Sequence, residues 1–249
     1  MENVTSFHTE SEARLTKNKV REEMWKYLED NDLARFPRPV YKRIPNFVGA
    51  DKAASSIREL KEFQEAEVVK VNPDAPQTDI RQIVLEEEKT LLMPTPRLRK
   101  GFLLLDSKRI PRQLVRRAVS ISGAYEVAER VRLSKLPAID LIVAGSVAVS
   151  LEGGRIGKGE GYSELEYGIL RECKLVSDET RVVTSVHDCQ IVKSFPLEEH
   201  DIPVDYILTP TKMHDTRTTI RRPKGIYWEK VTPEILQKIP ILEDLRKRR

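Results

Sequence analysis

Gly153-Gly154-Arg155-Ile156-Gly157-Lys158-Gly159-Glu160-Gly161-Tyr162 holds five of the eleven glycines in a chain of 249 residues. No other stretch constrains the fold as tightly. It follows an apolar run, Ile139 to Val149 (IDLIVAGSVAV), and leads into an amphipathic one, Ser163 to Cys173 (SELEYGILREC). Such glycine density means backbone conformations closed to residues with a Cβ, or a backbone that lies close to something. A strand, a glycine-dense loop and a helix in that order match the geometry of phosphate sites. Backbone N–H groups and the positive helix end attract the anion, and Arg155 and Lys158 add charge. The loop is not a Walker A sequence, which would need Gly and Ser or Thr where Glu152 and Gly159 stand. A dinucleotide fingerprint would need Gly in place of Tyr162. On spacing alone, a glycine-rich turn without ligand is the alternative.

Periodicity predicts an amphipathic helix over residues 9 to 30, with Ala13, Val20, Met24, Trp25 and Leu28 among charged residues. Lys17 and Arg21, four apart, share one of its faces. Pro37, Pro39 and Pro45 form an extended connector, and Ala50 to Ala66 reads as one helix. Strand Glu67 to Val71 runs into the Asn72-Pro73-Asp74-Ala75-Pro76 turn; helix Thr78 to Glu88 and strand Thr90 to Met93 follow. A further strand is expected at Phe102 to Leu105, with helices near Pro111 to Val119 and Tyr125 to Val131. After strand 139–149, the glycine loop and helix 163–173 come strands Arg181 to Val186 and Tyr206 to Thr209. The alternation indicates a parallel sheet layered by helices, with the loops at the strand C-termini as the active edge.

The chain is long enough to bury a sizeable core. No apolar run reaches the ~18 residues of a membrane span, and the polar, acidic N-terminus does not read as a signal peptide, so an intracellular, cytoplasmic protein without membrane partners is expected. Cys173 and Cys189 are too few for a disulfide framework or a four-ligand zinc site. Lys and Arg total 43 against 39 Asp and Glu, and aromatics are 6%. That balance argues against a nucleic-acid surface, which wants basic clusters interleaved with aromatics. The terminal Arg246-Lys247-Arg248-Arg249 reads as a solvated tail.

The segment DLIVAGSVAVSLEGGRIGKGEGYSELEYGIL resembles the carboxy-terminal signature of 5-formyltetrahydrofolate cyclo-ligases, or methenyltetrahydrofolate synthases, usually R-L-G-x-G-K-G-Y-Y-D. It is closer still to the divergent branch of methenyltetrahydrofolate synthase domain-containing proteins, where R-I-G-K-G-E-G-Y is typical. Phe36-Pro37-Arg38-Pro39 with Arg43-Ile44-Pro45-Asn46-Phe47, Val71 to Gln77, Val186 to Gln190 and Val204 to Thr211 also resemble that branch, so the likeness spans about residues 12 to 230. It implies a three-layer α/β sandwich with a mostly parallel, Rossmann-like central sheet. The organisation expected is a helical segment at 1–35 packing on an α/β domain at 36–230, with a helical, basic tail at 231–249.

What the resemblance implies chemically is ATP-dependent closure of 5-formyltetrahydrofolate, or a related formylated pterin, to the methenyl form by phosphorylation of the formyl oxygen. Its cofactors would be ATP and Mg²⁺. Arg155 and Lys158 would be catalytic; Lys17, Arg21, Gly154, Arg155, Gly157, Lys158, Gly159, Gly161 and Tyr162 would hold nucleotide, and Glu164 would face Mg²⁺. Three positions depart from the usual pattern. Glu160 replaces a lysine, Tyr162-Ser163-Glu164 replaces Tyr-Tyr-Asp, and the folate-contacting glutamate falls near Ala75, with Asp74 the nearest carboxylate. An acidic side chain at a phosphoryl site opposes the developing charge. The expectation is therefore ATP binding with weak or absent methenyl formation from 5-formyltetrahydrofolate, and Glu160→Lys is expected to raise any residual activity or at least to tighten ATP. The alternatives are another heterocycle, in thiamine-related metabolism, or a non-enzymatic, RNA-associated adaptor.

His187-Asp188-Cys189 invites a nucleophile reading, but a packed cysteine beside a hydrogen-bonded histidine is the expectation. His8 and His200 are expected without metal-ligand company; His214-Asp215, beyond the Thr209-Pro210-Thr211 turn, could line the active edge, and nothing in the sequence decides it.

Overall fold

The computed structural model describes residues 10–247. In chain order its regular elements are α1 (Glu10–Asp30), β1 (Ala34–Arg35), β2 (Asn46–Phe47), α2 (Ala50–Ser55), α3 (Lys61–Glu65), β3 (Val68–Val71), α4 (Thr78–Glu86), β4 (Thr90–Pro94) and β5 (Phe102–Asp106). Next come α5 (Val115–Ala118), α6 (Ile121–Val127), β6 (Glu129–Arg130), β7 (Leu141–Val143), β8 (Ala148–Val149), β9 (Arg155–Ile156), α7 (Tyr162–Glu172), β10 (Arg181–Ser185), β11 (Tyr206–Leu208), β12 (Met213–Asp215), α8 (Pro233–Lys238) and α9 (Pro240–Lys247).

Eight strands form one sheet in the order β12-β11-β10-β7-β3-β4-β5-β6. The five central strands from β11 to β4 pair in parallel, while β12, β5 and β6 are antiparallel edges. Helix α4 connects β3 to its neighbour β4, and α7 connects β7 to its neighbour β10, as parallel neighbours require. The expected strand at 102–105 therefore exists but runs against the parallel set.

Period-two alternation sorts the sheet into two buried faces. Val69, Val71, Leu91, Met93, Leu141, Val143 and Val183 pack with α2 to α6. Val68, Leu92, Ile142, Val182 and Ile207 pack with α7 to α9. This is the three-layer sandwich expected. Helix α1 lies at one edge, where Met24, Trp25 and Leu28 bury against Ala34, Val40, Ile44 and Val147. The C-terminal segment is helical: Leu236, Ile239 and Leu242 are buried in the second layer, while Arg246 and Lys247, the described part of the expected solvated end, are exposed.

Two long elements are interrupted. Leu60, buried but extended (φ −75°, ψ 124°), splits the expected helix over 50–66 into α2, a 3₁₀ turn and α3. The apolar run 139–149 is likewise two strands: β7 ends at Val143, Ala144 adds one bond to Val183 O (2.9 Å), and β8 pairs with β9 outside the main sheet. The two helices expected over 111–119 and 125–131 are shorter or shifted, as α5 and α6, and Glu129–Arg130 joins the sheet instead.

Candidate functional site

A cleft of about 1910 Å³ opens beyond the C-terminal ends of β3 and β4. The segments that follow β3 and β4, the glycine loop, the turn at 198–201 and α1 all contribute to its wall. This is where ligands bind in doubly wound α/β sheets.

The glycine segment does two jobs. Its first half is a hairpin turn: Ser150 N–H donates to Gly154 O (2.9 Å), and Gly153 N–H donates back to Ser150 O (3.0 Å). Gly153 has φ +91°, and a Cβ there would lie 2.6 Å from Thr218 Cβ and 2.7 Å from Val204 O. The second half, Gly157 to Gly161, crosses the cleft lip to the N-terminus of α7, with Gly161 left-handed at the cap (φ +73°). Among the described residues, the amides from Gly157 to Gly161 have no hydrogen-bond acceptor. Unpaired N–H groups at a helix start are the donors an anion satisfies.

The expected cations stand in different roles. Arg155 is buried, donates from Nη1 to Gly145 O (2.8 Å) and from Nη2 to Glu164, and keeps Nε without a partner. It clamps the loop onto the end of β7. Lys158 Nζ lies 2.9 Å from Glu160 Oε2 and 3.9 Å from Asp74 Oδ1. Arg21 reaches the loop as expected, its Nε donating to Gly157 O at 2.7 Å, and a Cβ on Gly159 would sit 3.2 Å from its Cζ. Lys17 lines the same cleft but spends its charge elsewhere, on Glu198 Oε2 (2.9 Å) and on Asp201 Oδ2. Tyr162 opens α7 and packs on the second layer, and Gly154 N–H donates to Ser150 Oγ (3.2 Å).

Glu160 is not the uncompensated charge its position suggests. Partial burial works to raise its carboxyl, but Lys158, then Arg97 Nη2 at 3.2 Å, outweigh that and hold it below the usual range. Glu164 accepts from Arg155 through Oε1, leaving Oε2 without a bond among the described residues. One free carboxylate oxygen beside unpaired amides at a helix start is a donor set that could serve Mg²⁺, which takes one or two carboxylates and completes its shell with phosphate and water. His200 does have company. With Glu198 and Asp201 it forms a group whose ligand atoms lie within 4.8 Å, closed by Asp201 N–H donating to Glu198 O (3.0 Å), and the Lys17 ammonium meets both carboxylates.

Sequence reasoning missed Glu166 and Lys70. Lys70 Nζ meets Glu166 Oε2 at 2.6 Å and Asn72 Oδ1 at 3.0 Å, all three side chains buried between β3 and α7. Burial pushes the Glu166 carboxyl up against the pull of Lys70, and pushes Asp74 up against Lys158 and Arg81. The signal was present: a lysine inside the strand VVKV, on a face that alternation buries, demands a carboxylate.

His187 is not on a strand but caps a 3₁₀ turn, with Nδ1 3.1 Å from Cys189 Sγ, and burial pushes that thiol up to about 11. That is a packed cysteine, not an activated one. His214 and Asp215 lie on the edge strand β12, outside the cleft wall. His8 lies outside the described residues. Among the described residues no helix is long and apolar enough to cross a membrane.

Residues 14–210 match the 5-formyltetrahydrofolate cyclo-ligase family model. Methenyltetrahydrofolate synthase domain-containing protein of Mus musculus is 46% identical over 96% of this chain, and that of Homo sapiens 46% over 94%. The chain spans 65% and 62% of those proteins' own lengths. 5-Formyltetrahydrofolate cyclo-ligase of Escherichia coli is 33% identical over 31% of the chain and 40% of its own length. In fold, the chain is similar to 5,10-methenyltetrahydrofolate synthetase of Aquifex aeolicus, with TM-score 0.51, 22% identity, and coverage of 81% of this chain and 93% of that one.

Proposed function

The chain belongs to the 5-formyltetrahydrofolate cyclo-ligase family, and from that premise we propose that its cleft binds ATP with Mg²⁺ and closes 5-formyltetrahydrofolate, or a related formylated pterin, to the methenyl form. The observation that carries the reading is the run of unpaired amides from Gly157 to Gly161 at the start of α7, flanked by Arg21, Lys158 and Arg97 in one cleft. In the reaction the γ-phosphoryl group passes to the formyl oxygen, N10 attacks the activated carbon and loses its proton, and phosphate leaves. Such chemistry asks the protein for positioning and charge, not for a nucleophile.

Each residue then has a task set by its surroundings. The loop amides and Lys158 receive phosphate oxygens; Arg21 fixes the loop through Gly157 O; Arg155 locks its base and orients Glu164. Glu164 Oε2 is the oxygen offered to the metal, and bound Mg²⁺ would neutralise charge on the phosphates. The Glu198, His200 and Asp201 group is a second place for a cation, with the Lys17 ammonium filling that role. Asp74 and Glu166, both raised by burial, line the substrate side.

The test is ligand-dependent stability followed by turnover. Mg-ATP at a hundredfold excess over its dissociation constant adds ~2.7 kcal/mol, which for a chain this size raises the melting temperature by roughly 5–11 °C. Phosphate release should then depend on 5-formyltetrahydrofolate, with methenyl product seen by near-ultraviolet absorbance. A melting temperature unmoved by Mg-ATP overturns the nucleotide assignment. Nucleotide binding without methenyl formation overturns the substrate.

A further inference from the structure

Just beyond β4, two consecutive non-glycine residues are left-handed: Arg97 (φ 55°, ψ 26°) and Leu98 (φ 52°). Each such residue is destabilised by its Cβ, and the strain persists only where surroundings impose it. Thr95 imposes it here. Its N–H and Oγ1 both donate to Gly101 O at 2.9 Å, its Oγ1 accepts from Lys100 N–H (3.0 Å), and its carbonyl accepts from Leu98 N–H (2.8 Å). Leu98 is fully buried and anchors the turn.

The side chain this strained turn displays is Arg97, half exposed on the cleft wall. Its Nη2 donates to Glu160 Oε1 at 3.2 Å, across 63 residues of chain, while Lys158 holds the other oxygen. One carboxylate thus carries a cation on each oxygen, beside the unpaired loop amides. Exposed ion pairs add little stability, so the pair does not explain why the strain is kept. A guanidinium has five N–H donors. Arg97 uses one on Glu160, and the others have no partner among the described residues.

We propose that Arg97 is a phosphate-binding residue of this cleft, supplied from the β4 turn in place of the lysine the glycine loop lacks at 160, and that Glu160 is the strut that holds Arg97 and Lys158 in position. The proposal rests on the nucleotide reading above and deepens it. It also reverses the expectation for Glu160→Lys, which would set a third cation against two and release Arg97.

Arg97→Gly tests it, because glycine removes the cation and relieves the backbone strain together. Titration calorimetry of the full chain with Mg-ATP and with adenosine, alongside thermal melting, should show opposite signs. The variant should melt no lower than the parent, yet bind Mg-ATP roughly ten- to a hundredfold more weakly with adenosine unchanged. Arg97→Lys should recover part of the affinity, and Glu160→Lys should not tighten ATP. If the parent binds ATP and Arg97→Gly binds it within twofold, the inference is overturned and the nucleotide site stands. Equal weakening of adenosine, or a large loss of melting temperature, makes Arg97 structural and overturns it too. A parent that does not bind ATP overturns the nucleotide reading itself, and this inference with it.

Discussion

Replacing Lys70 by Met should be among the most damaging single changes near the cleft. The Lys70 and Glu166 side chains are 3% and 5% exposed and meet at 2.6 Å, joining β3 to α7 directly behind the glycine loop. Removing one partner of a buried pair strands the other charge and typically costs 3–5 kcal/mol. Asn72 Nδ2 still donates to Glu166 Oε2 at 3.3 Å, which favours the low end, about 3 kcal/mol. At 2–4 °C per kcal/mol for a chain this size, the melting temperature falls by roughly 6–12 °C. The loss must depend on pH with a definite sign. Burial already raises the Glu166 carboxyl above its ordinary 4.5, and Lys70 is the main group opposing that. Without Lys70 the folded state binds a proton more tightly than the unfolded state, so stability falls as pH rises from about 4.5 through the raised value, then levels. Urea unfolding at pH 5 and pH 8, followed by tryptophan fluorescence, should find the deficit smaller at pH 5. In Lys70→Met/Glu166→Leu the part of that pH dependence that comes from Glu166 should vanish. Much of the stability should return, less about 1–3 kcal/mol for the Asn72 amide left unpaired. A single variant within about 1 kcal/mol of the parent at pH 8, below the range for a broken buried pair, or a deficit flat in pH, would refute the reasoning.

Gly153→Ala and Gly161→Ala should differ although both glycines are left-handed. At 161 no atom lies within 4 Å of a new Cβ, so the cost is backbone strain alone, about 1–2 kcal/mol; at 153 the clashes with Thr218 and Val204 O add to it, and equal losses in urea unfolding would contradict this. Cys189, its thiol pushed up to about 11, should be about one part in a thousand thiolate at pH 8, so peptide mass spectrometry should find it alkylated by iodoacetamide far more slowly than a free cysteine. Labelling at the rate of a free thiol would restore the nucleophile reading of His187 and Cys189.

The sheet was legible because its signal is local. Val68 to Val71 and Leu91 to Met93 alternate between two buried layers, and the intervening α4 pattern fixes the parallel pairing. Breaks in long elements were not legible, because burial hides them. Ala53, Ile57, Leu60 and Phe63 keep helical spacing through the bend at Leu60, as all four are buried. Ile139 to Val149 stays apolar past the end of β7 since Val147 and Ala148 are buried off the main sheet. An apolar run says where the core is, and not whether the chain there is a strand.

The site divides along the same line. The glycine loop and its helix are contiguous, and Arg21 was reachable through the family pattern, but what Lys17, Arg21 and Arg97 face is set by contacts across 181, 136 and 63 residues that no local pattern encodes. Lys17 and Glu160 make the point from opposite signs. Lys17 was expected to meet phosphate, yet it lies among Glu198 and Asp201, whose Glu-x-x-Asp turn was the unread signal. Glu160 was expected to repel phosphate, yet Lys158 and Arg97 bracket it, one on each oxygen. A charge in a sequence is therefore a statement about a neighbour not yet identified. Where a family position changes sign, as at Glu160, the compensating residue should be sought on whichever strained turn the fold brings opposite, which here is Arg97.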